Sequence, residues 1–424
     1  MPGRRLLIDA TPLRESPQFR RLWLGYVVSV LGSQLTVVAV PYQVFRLTHS
    51  SLDVGLIGLA QIVPVLAGAL AGGSVADAMD RRRLLLITQT LLACCSLGLL
   101  WNTAGGHPRL WPLYVLAAAS AGVSSTDGST RAAVVANLVE RHQLAAANAL
   151  WQLLFQIGQV VGPAVAGILV AQVGVGSAYA VDAGTFLASL AAVATLKPLP
   201  PHAGGTRFGW RSIKEGLSFL KTRQVLQATF VVDLDAMILG MPRALFPALG
   251  LLRFRGGART VGLLYAAPGA GALVGAALTG WVATVRRQGR AVLVAVCIWG
   301  LAIAAFGVVP WLAAALILLA VAGAADVFSA VFRGTILQTE APDALRGRVS
   351  SIHTAVVTGG PRLGDVEAGG VAALAGAQTS VISGGLGCLA GVALVWRFMP
   401  KLAAYLAPGP ATPGSASAGP GATP

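Results

Sequence analysis

The sequence predicts an all-α integral membrane protein with twelve transmembrane helices in two pseudo-symmetric six-helix bundles. Three observations carry this. Of 424 residues, 55% are hydrophobic and only 11% are charged. A soluble domain has about 25% charged residues, so there is too little charge here to cover a water-facing surface, and mean hydropathy is +0.72. Apolar runs of bilayer length, about 20 residues each, recur along the whole chain, and the second half repeats features of the first at a near-constant offset. The same composition excludes disorder, a secreted disulfide scaffold and nucleic-acid recognition as the main task. The net charge of +15 reflects topology, as its positions show.

The spans in order are 21–45, 54–77, 84–104, 111–138, 143–171, 175–197, 225–251, 259–285, 290–309, 311–339, 347–373 and 378–399. Span 1 is too long for a removable signal peptide and has no clear small-residue cleavage site. Span 2 holds Pro64 and Gly68 and ends in a Gly- and Arg-rich loop. Span 3 carries Cys94 and Cys95; with Cys297 in span 9 and Cys388 in span 12 these read as small buried side chains without metal-ligand spacing. Span 4 contains Asp127 and Arg131, span 5 Gly162, Pro163 and Gly167, and span 6 Asp182. Span 7 contains Asp233, Asp235 and Pro247, span 8 Pro268, span 10 Asp326 and Arg333, and span 11 Pro361, Arg362, Asp365 and Glu367. Each proline removes a backbone donor and can bend its span.

Domain boundaries follow from the polar stretches. Residues 1–20 read as a cytoplasmic N-terminal segment, 21–197 as the first six-helix bundle and 225–399 as the second. Residues 198–224 form a basic linker in which Trp210, Ile213, Leu217 and Leu220 recur at helical spacing. That pattern predicts a short amphipathic helix on the inner leaflet. Residues 400–424 are rich in Pro, Gly, Ala, Ser and Thr and read as a disordered tail.

Lys and Arg set the orientation. Arg4, Arg5, Arg14, Arg20, Arg21, Arg81–Arg83, Arg141, the linker cations, Arg286, Arg287, Arg290, Arg346, Arg348 and Lys401 fall on one side. The other side holds little beyond Arg46, Arg109, Arg253, Arg255 and Arg259. Both termini are therefore expected in the cytoplasm.

An offset of 207 carries Val54, Gly55, Leu56, Gly68, Gly73 and Ala76 onto Val261, Gly262, Leu263, Gly275, Gly280 and Ala283, and an offset of 202 carries Arg131, Gly162 and Gly167 onto Arg333, Gly364 and Gly369. Each span meets one of the same membrane direction, six spans on. Two parallel halves related by an axis along the membrane normal are the architecture of a rocking transporter.

The loop after span 2 reads Gly73, Asp77, Arg81 and Arg82 at the spacing of Gly-x-x-x-Asp-Arg-x-Gly-Arg-Arg. Here the sequence resembles the major facilitator superfamily, although Ala78 and Asp80 replace the usual Arg and Gly. Physically, a carboxylate at the end of span 2 can meet a helix N-terminus or a nearby Arg and latch one conformation, while the arginines also stop translocation. In the second half Thr284 takes the place of Asp77. Phe19–Trp23, Ala39–Pro41, Leu144–Ala149, Gly162–Gly167, Phe246–Leu249, Gly262–Ala267 and Leu337–Thr339 with Arg346–Arg348 resemble the branch of enterobactin exporters and of macrolide and multidrug effluxers. Gly162–Gly167 also resembles an antiporter motif, giving Gly162, Pro163 and Gly167 a packing or hinge role.

Intramembrane polar groups are functional candidates by default. The resemblance implies that spans 1, 4, 7 and 10 line a cavity, and these hold Gln34, Asp127, Asp233, Asp235 and Asp326 near their middles; Gln156, Asp182, Arg362, Asp365 and Glu367 add to the set. Asp127 and Arg131, four apart, can neutralise each other, as can Arg362 and Asp365. Arg131 and Arg333 also lie where an Arg can snorkel. Asp233, Asp235, Asp326 and Glu367 lack a local partner, so they are the leading proton-coupling candidates.

No phosphate loop, metal spacing or dinucleotide motif is present. The chain reads as a non-enzymatic secondary exporter without cofactor or metal. It is expected to exchange protons for an amphipathic siderophore or hydrophobic drug. Its partners are that small molecule, protons and the bilayer, with no nucleic acid and no required oligomer. Its Arg-rich, Lys-poor, Ala-rich and Gly-rich composition points to a bacterium with a GC-rich genome, and the expected location is the bacterial inner membrane. A non-transporting sensor or scaffold and an importer remain the alternatives.

Overall fold

The computed structural model describes residues 9–200 and 210–407, apart from the side chains at 71, 73, 74, 76, 77, 210–213, 283 and 344. Among the described residues every regular element is a helix. Spans 1 to 6 are Pro17–Thr48, Ser51–Ala78, Arg81–Ala104, Leu110–Leu138, Leu144–Gln172 and Val175–Ala194. Spans 8 to 12 are Gly257–Ala277, Gln288–Val308, Leu312–Glu340, Asp343–Ala375 and Ala377–Phe398.

Ten of the described helices are long and apolar enough to cross a membrane by length and composition. Spans 4 and 11 fall short although they have 29 and 33 residues. Hydroxyl and ionic side chains explain it: Ser120, Ser124, Ser125, Asp127 and Arg131 in one, His353, Arg362, Asp365 and Glu367 in the other. Several of these side chains face the interior: Asp127 and Arg131 are buried, and Arg362 and Asp365 line a cavity.

Capping fixes several starts. Ser16, Ser50 and Asp80 accept the amides of Phe19, Asp53 and Arg83 at 3.2, 3.2 and 3.1 Å. Gly174 (φ 103°) lies between spans 5 and 6, and Gly376 (φ 87°) between spans 11 and 12. Those positive φ values favour glycine, and the two glycines are 202 residues apart, the repeat offset itself. Trp101, Trp111 and Trp311 are 85%, 62% and 73% exposed. All three lie at the face of the short loops, where an aromatic belt contacts the membrane interface.

Span 7 departs from the continuous helix expected over 225–251. It runs as Gln224–Ile238, breaks at Leu239–Pro242, and resumes as short turns, Arg243–Leu245, Phe246–Ala248 and a π turn at Leu249–Arg253. Pro242 cannot donate, and it disfavours helix at Met241 before it. The carbonyls at the break find side-chain donors: Trp299 Nε1 donates to Gly240 O at 2.9 Å and Tyr265 Oη to Arg243 O at 3.0 Å. Span 8 likewise ends at Ala277 and finishes in the turn Thr279–Thr284 rather than running to 285.

The packing is two-fold. Span 2 lies against span 4 as span 8 lies against span 10; span 3 packs on span 6 as span 9 packs on span 12. The halves join through span 2 with span 11 and span 5 with span 8. Glycines make those joints close, as in other membrane helix pairs. A Cβ on Gly55 would fall 2.3 Å from the Asp365 carbonyl, and one on Gly262 would fall 2.5 Å from the Pro163 carbonyl. Gly58, Gly167 and Gly369 make similar approaches to Arg362, Ala258 and Ser51. This seam lies toward the short-loop face.

Other expectations are corrected. Residues 400–407 are not a loose tail: Pro400–Ala403 is helical, Leu402 is fully buried and Ala407 N donates to Arg286 O at 2.7 Å. The rest of the tail lies outside the described residues. The linker helix Trp210–Thr222 docks on span 11 through Gly216 against Ile352 and an ion pair of Glu215 with Arg348. Of the predicted apolar stripe, Leu220 is buried and Leu217 is 45% exposed, while the side chains of Trp210 and Ile213 lie outside the described residues. Cys95 and Cys388 are buried, Cys297 is half-buried and Cys94 is exposed; neighbours in one helix point about 100° apart.

Candidate functional site

A cavity of about 490 Å³ lies near mid-depth between the halves. This is within the size range of small-molecule sites. Its first wall comes from spans 1, 2, 3, 4 and 6, with Thr36, Gln61, Ser96, Ser120, Ser124, Ser125 and Asp182 among apolar side chains that include Leu92 and Phe186. Its second wall comes from the break of span 7 and from spans 8 and 11, with Arg243, Ala244, Tyr265, Thr358, Arg362 and Asp365. Span 10 contributes none of the lining residues, contrary to the expected set of spans 1, 4, 7 and 10.

Asp182 is 2% exposed. Its Oδ2 accepts the Thr36 hydroxyl of span 1 at 2.6 Å and the Ser96 hydroxyl of span 3 at 2.7 Å. Its Oδ1 is buried without a hydrogen-bond partner among the described residues. Glycine allows this approach: a Cβ on Gly32 would stand 1.9 Å from Thr185 Oγ1 and 3.0 Å from Asp182 Oδ1.

On the facing wall, Arg362 Nη1 donates to Thr358 O at 2.5 Å while its Nε is unpartnered. Neither Arg243 nor Arg362 has a carboxylate within ion-pair distance among the described residues. Asp365 acts on both from farther away. The expected Arg362–Asp365 ion pair is therefore absent among them; the two residues share a wall instead.

The remaining candidates divide into structural pairs and outlying groups. Arg131 Nε meets Asp127 Oδ2 at 2.5 Å, and Thr88 and Gln89 donate to Asp127 Oδ1 at 2.7 and 2.9 Å. The Tyr26 ring lies 5.0 Å from the Arg131 guanidinium. Arg131 and Arg333 are 1% and 4% exposed, so neither snorkels. Arg333 meets Asp233 at 2.8 Å and Asp326 at 3.8 Å, which corrects the reading of those carboxylates as partnerless. His353 Nε2 stands 3.5 Å from Asp233.

Asp235 turns away toward span 12, where a Cβ on Gly391 would strike its carboxylate. Glu367 is half-buried, outside the cavity lining, and has no hydrogen bond or ion pair among the described residues. Two residues from Asp365 is about 200° of helix rotation, which puts Glu367 on the other face of span 11. Gln34 packs against Gly162 of span 5 rather than lining the cavity, and Gln156 is also outside the lining. Pro163 and Gly167 lie in the seam against Gly262.

The side chains of Gly73 and Asp77 lie outside the described residues. Arg81 Nη1 donates to Ala133 O at 3.4 Å and Arg82 Nη2 to Ala194 O at 2.7 Å, so both serve the carbonyl ends of spans 4 and 6.

Residue reading missed Arg243 and the wall of hydroxyls. An Arg inside an apolar run between Pro242 and Pro247 was the available signal, since broken spans carry binding sites in transporters. Serines and threonines gave no comparable signal, because many simply bond back to their own helix.

Residues 9–409 match the family described as transmembrane secretion effector. Relatives include the enterobactin exporter EntS of Citrobacter koseri, 30% identical over 415 residues that cover 96% of this chain and 98% of that protein. EntS of Shigella boydii serotype 18 is 30% identical over 389 residues, 90% of this chain and 92% of that one. Similar solved structures include a variant of the peptide transporter POT, with TM-score 0.73 and 9% identity over 92% of this chain and 96% of that chain. A bacterial homologue of the iron transporter ferroportin in an inward-facing state has TM-score 0.66 and 14% identity over 91% and 98%. At these identities the structural likeness carries the fold alone.

Proposed function

Because the chain belongs to the transmembrane secretion effector family of major facilitator transporters, we propose that it exports an amphipathic small molecule by alternating access, driven by proton uptake. It is a membrane transporter and not an enzyme. The observation that carries the finer reading is a mid-depth cavity walled by both halves, beside a glycine seam that brings those halves together toward one face.

With both termini cytoplasmic, as the Lys and Arg distribution favours, that seam closes the outer side. Substrate then enters from the cytoplasm, and separation of span 2 from span 11 and of span 5 from span 8 opens the way out. Gly162, Pro163 and Gly167 supply the close packing that this separation releases. Asp77, with Arg81 and Arg82, acts as the cytoplasmic latch of the first half. Apolar side chains of the first wall hold the body of the substrate, while Arg243 and Arg362 offer donors to its oxygen atoms. The relatives named as enterobactin exporters make an acceptor-rich siderophore the leading substrate, ahead of a hydrophobic drug. The membrane is then a bacterial inner membrane.

Everted vesicles test this. Vesicles containing the protein should accumulate enterobactin or a lipophilic dye when their lumen is acidified, and lose that accumulation when a protonophore is added. Accumulation that is the same with and without the gradient refutes proton-driven export.

A further inference from the structure

Asp182 differs from the carboxylates that hold the bundles together. Asp127 and Asp233 each face a buried arginine at ion-pair distance. Asp182 is equally buried yet meets only hydroxyls, from Thr36 and Ser96, and both converge on the same oxygen. The second oxygen has no partner among the described residues. Cys95 and Tyr179 are the titratable groups facing it from spans 3 and 6, and span 1 presents only the Thr36 hydroxyl. Arg243, Arg362 and Asp365 lie on the opposite cavity wall.

A buried carboxylate without a cation is costly, because desolvation removes water that nothing replaces at its free oxygen. A proton on that oxygen cancels the charge and leaves both hydroxyl contacts available to the other oxygen. Asp182 also belongs to the cavity lining, so the movement that alternates access can bring its buried free oxygen to solvent.

We propose that Asp182 is the proton-binding residue of this transporter, clamped by Thr36 and Ser96 on one oxygen, with its free oxygen buried in the cavity lining. This rests on the proton-coupled export reading and deepens it. All three residues belong to the first half, so the site travels with that bundle as its exposure alternates. Asp233, Asp326 and Glu367 are displaced from this role: Arg333 attends the first two, and Glu367 lies off the cavity.

The test has two independent readouts. Difference infrared spectroscopy on the purified protein in lipid, titrated over pH, should show the carbonyl band of a protonated carboxylic acid. That component disappears in Asp182→Asn and persists in Glu367→Gln. Thr36→Val and Ser96→Ala each displace its midpoint by about one pH unit, because each removes a donor from the ionised form. In everted vesicles, Asp182→Asn abolishes accumulation of lipophilic dye under a pH gradient but keeps downhill exchange, while Asp182→Glu retains part of the accumulation. A titrating band unchanged in Asp182→Asn, or full gradient-driven accumulation in that variant, overturns the proposal. If the unaltered protein shows no gradient-driven accumulation, the export reading fails, and the infrared titration still decides the proton site.

Discussion

Arg333 and Asp233 lie exactly one hundred residues apart in sequence and 2.8 Å apart in space, each almost wholly buried. They are the second half's counterpart to Arg131 and Asp127. The repeat offset of 202 carries Arg131 onto Arg333, and the offset of 207 carries Tyr26 onto Asp233. In the first half the guanidinium draws its carboxylate from its own helix and lies over the Tyr26 ring; in the second, the carboxylate comes from span 7. Both halves thus bury one arginine on span 4 or 10 and compensate it by different means.

Breaking this pair should be costly. Arg333→Gln leaves Asp233 buried with only His353 near it, and removing one partner of a buried ion pair costs about 3–5 kcal/mol. We expect a clear fall in the thermal unfolding midpoint in detergent. The double variant Asp233→Leu with Arg333→Met should recover most of it, since the buried carboxylate goes with its cation, and Asp326, the other carboxylate near Arg333, is 44% exposed and can be hydrated. A single variant as stable as the unaltered protein would remove the structural role.

The seam makes a second prediction. Gly55→Val puts side-chain carbon where the Asp365 carbonyl already lies, 2.3 Å from the ideal Cβ position. Overpacking of this kind costs about 1–3 kcal/mol, enough to shift a two-state balance about fivefold or more. Spin labels at Leu47 and Leu374, on either side of the seam, should report longer distances in this variant. An unchanged distance distribution counts against close glycine contact as the closing element.

How much was legible follows from the range of each interaction. The Asp127–Arg131 pair could be read because four residues bring two side chains onto one helix face. Arg333 and Asp233 could not, because their contact depends on how spans 7 and 10 pack. The break in span 7 was passed over because Met241, Leu245, Phe246 and the leucines that follow keep the run apolar; Gly240 and Pro242 carried the signal, and Arg243 went with it. Asp182 is legible as an intramembrane polar group but its clamp is not, since its hydroxyl partners come from two other spans. The off-cavity position of Glu367 was within reach of helical phase alone, once Asp365 is put on the cavity side. The twelve spans and the two-fold repeat were readable because composition and glycine spacing are properties of single segments.

Gly32→Ala tests the local geometry at Asp182. The added carbon would fall 1.9 Å from Thr185 Oγ1, so span 6 must move away from span 1 and the Thr36 hydroxyl must lose its bond. Gradient-driven accumulation should fall sharply while membrane expression stays near normal. Normal coupling in this variant would mean that the Thr36–Asp182 contact is dispensable.

Orientation gives a chemical prediction in a background where the four native cysteines are replaced. His107→Cys, in the short loop between spans 3 and 4, should react with an impermeant thiol reagent added to intact cells. Lys197→Cys, at the linker end of span 6, should react only after the membrane is opened. The reverse pattern would invert the topology read from the Lys and Arg positions and, with it, the direction of transport.

The facing arginines make the last prediction. Arg243 and Arg362 lack ion-pair partners among the described residues, unlike Arg131 and Arg333, so their donors are available to whatever fills the cavity. A hydrogen bond from a charged donor contributes about 1.5–3 kcal/mol, and one lost on binding raises Kd about tenfold or more. Arg243→Gln and Arg362→Gln should therefore raise KM for oxygen-rich substrates with little change in kcat, the pattern expected when an interaction is made equally in ground and transition states. Lipophilic dyes without strong acceptors should be moved as before, because the first wall holds them through apolar contact. A uniform loss across both substrate classes would instead assign the arginines to the rocking motion, since only a defect in the shared conformational step lowers transport of every substrate alike.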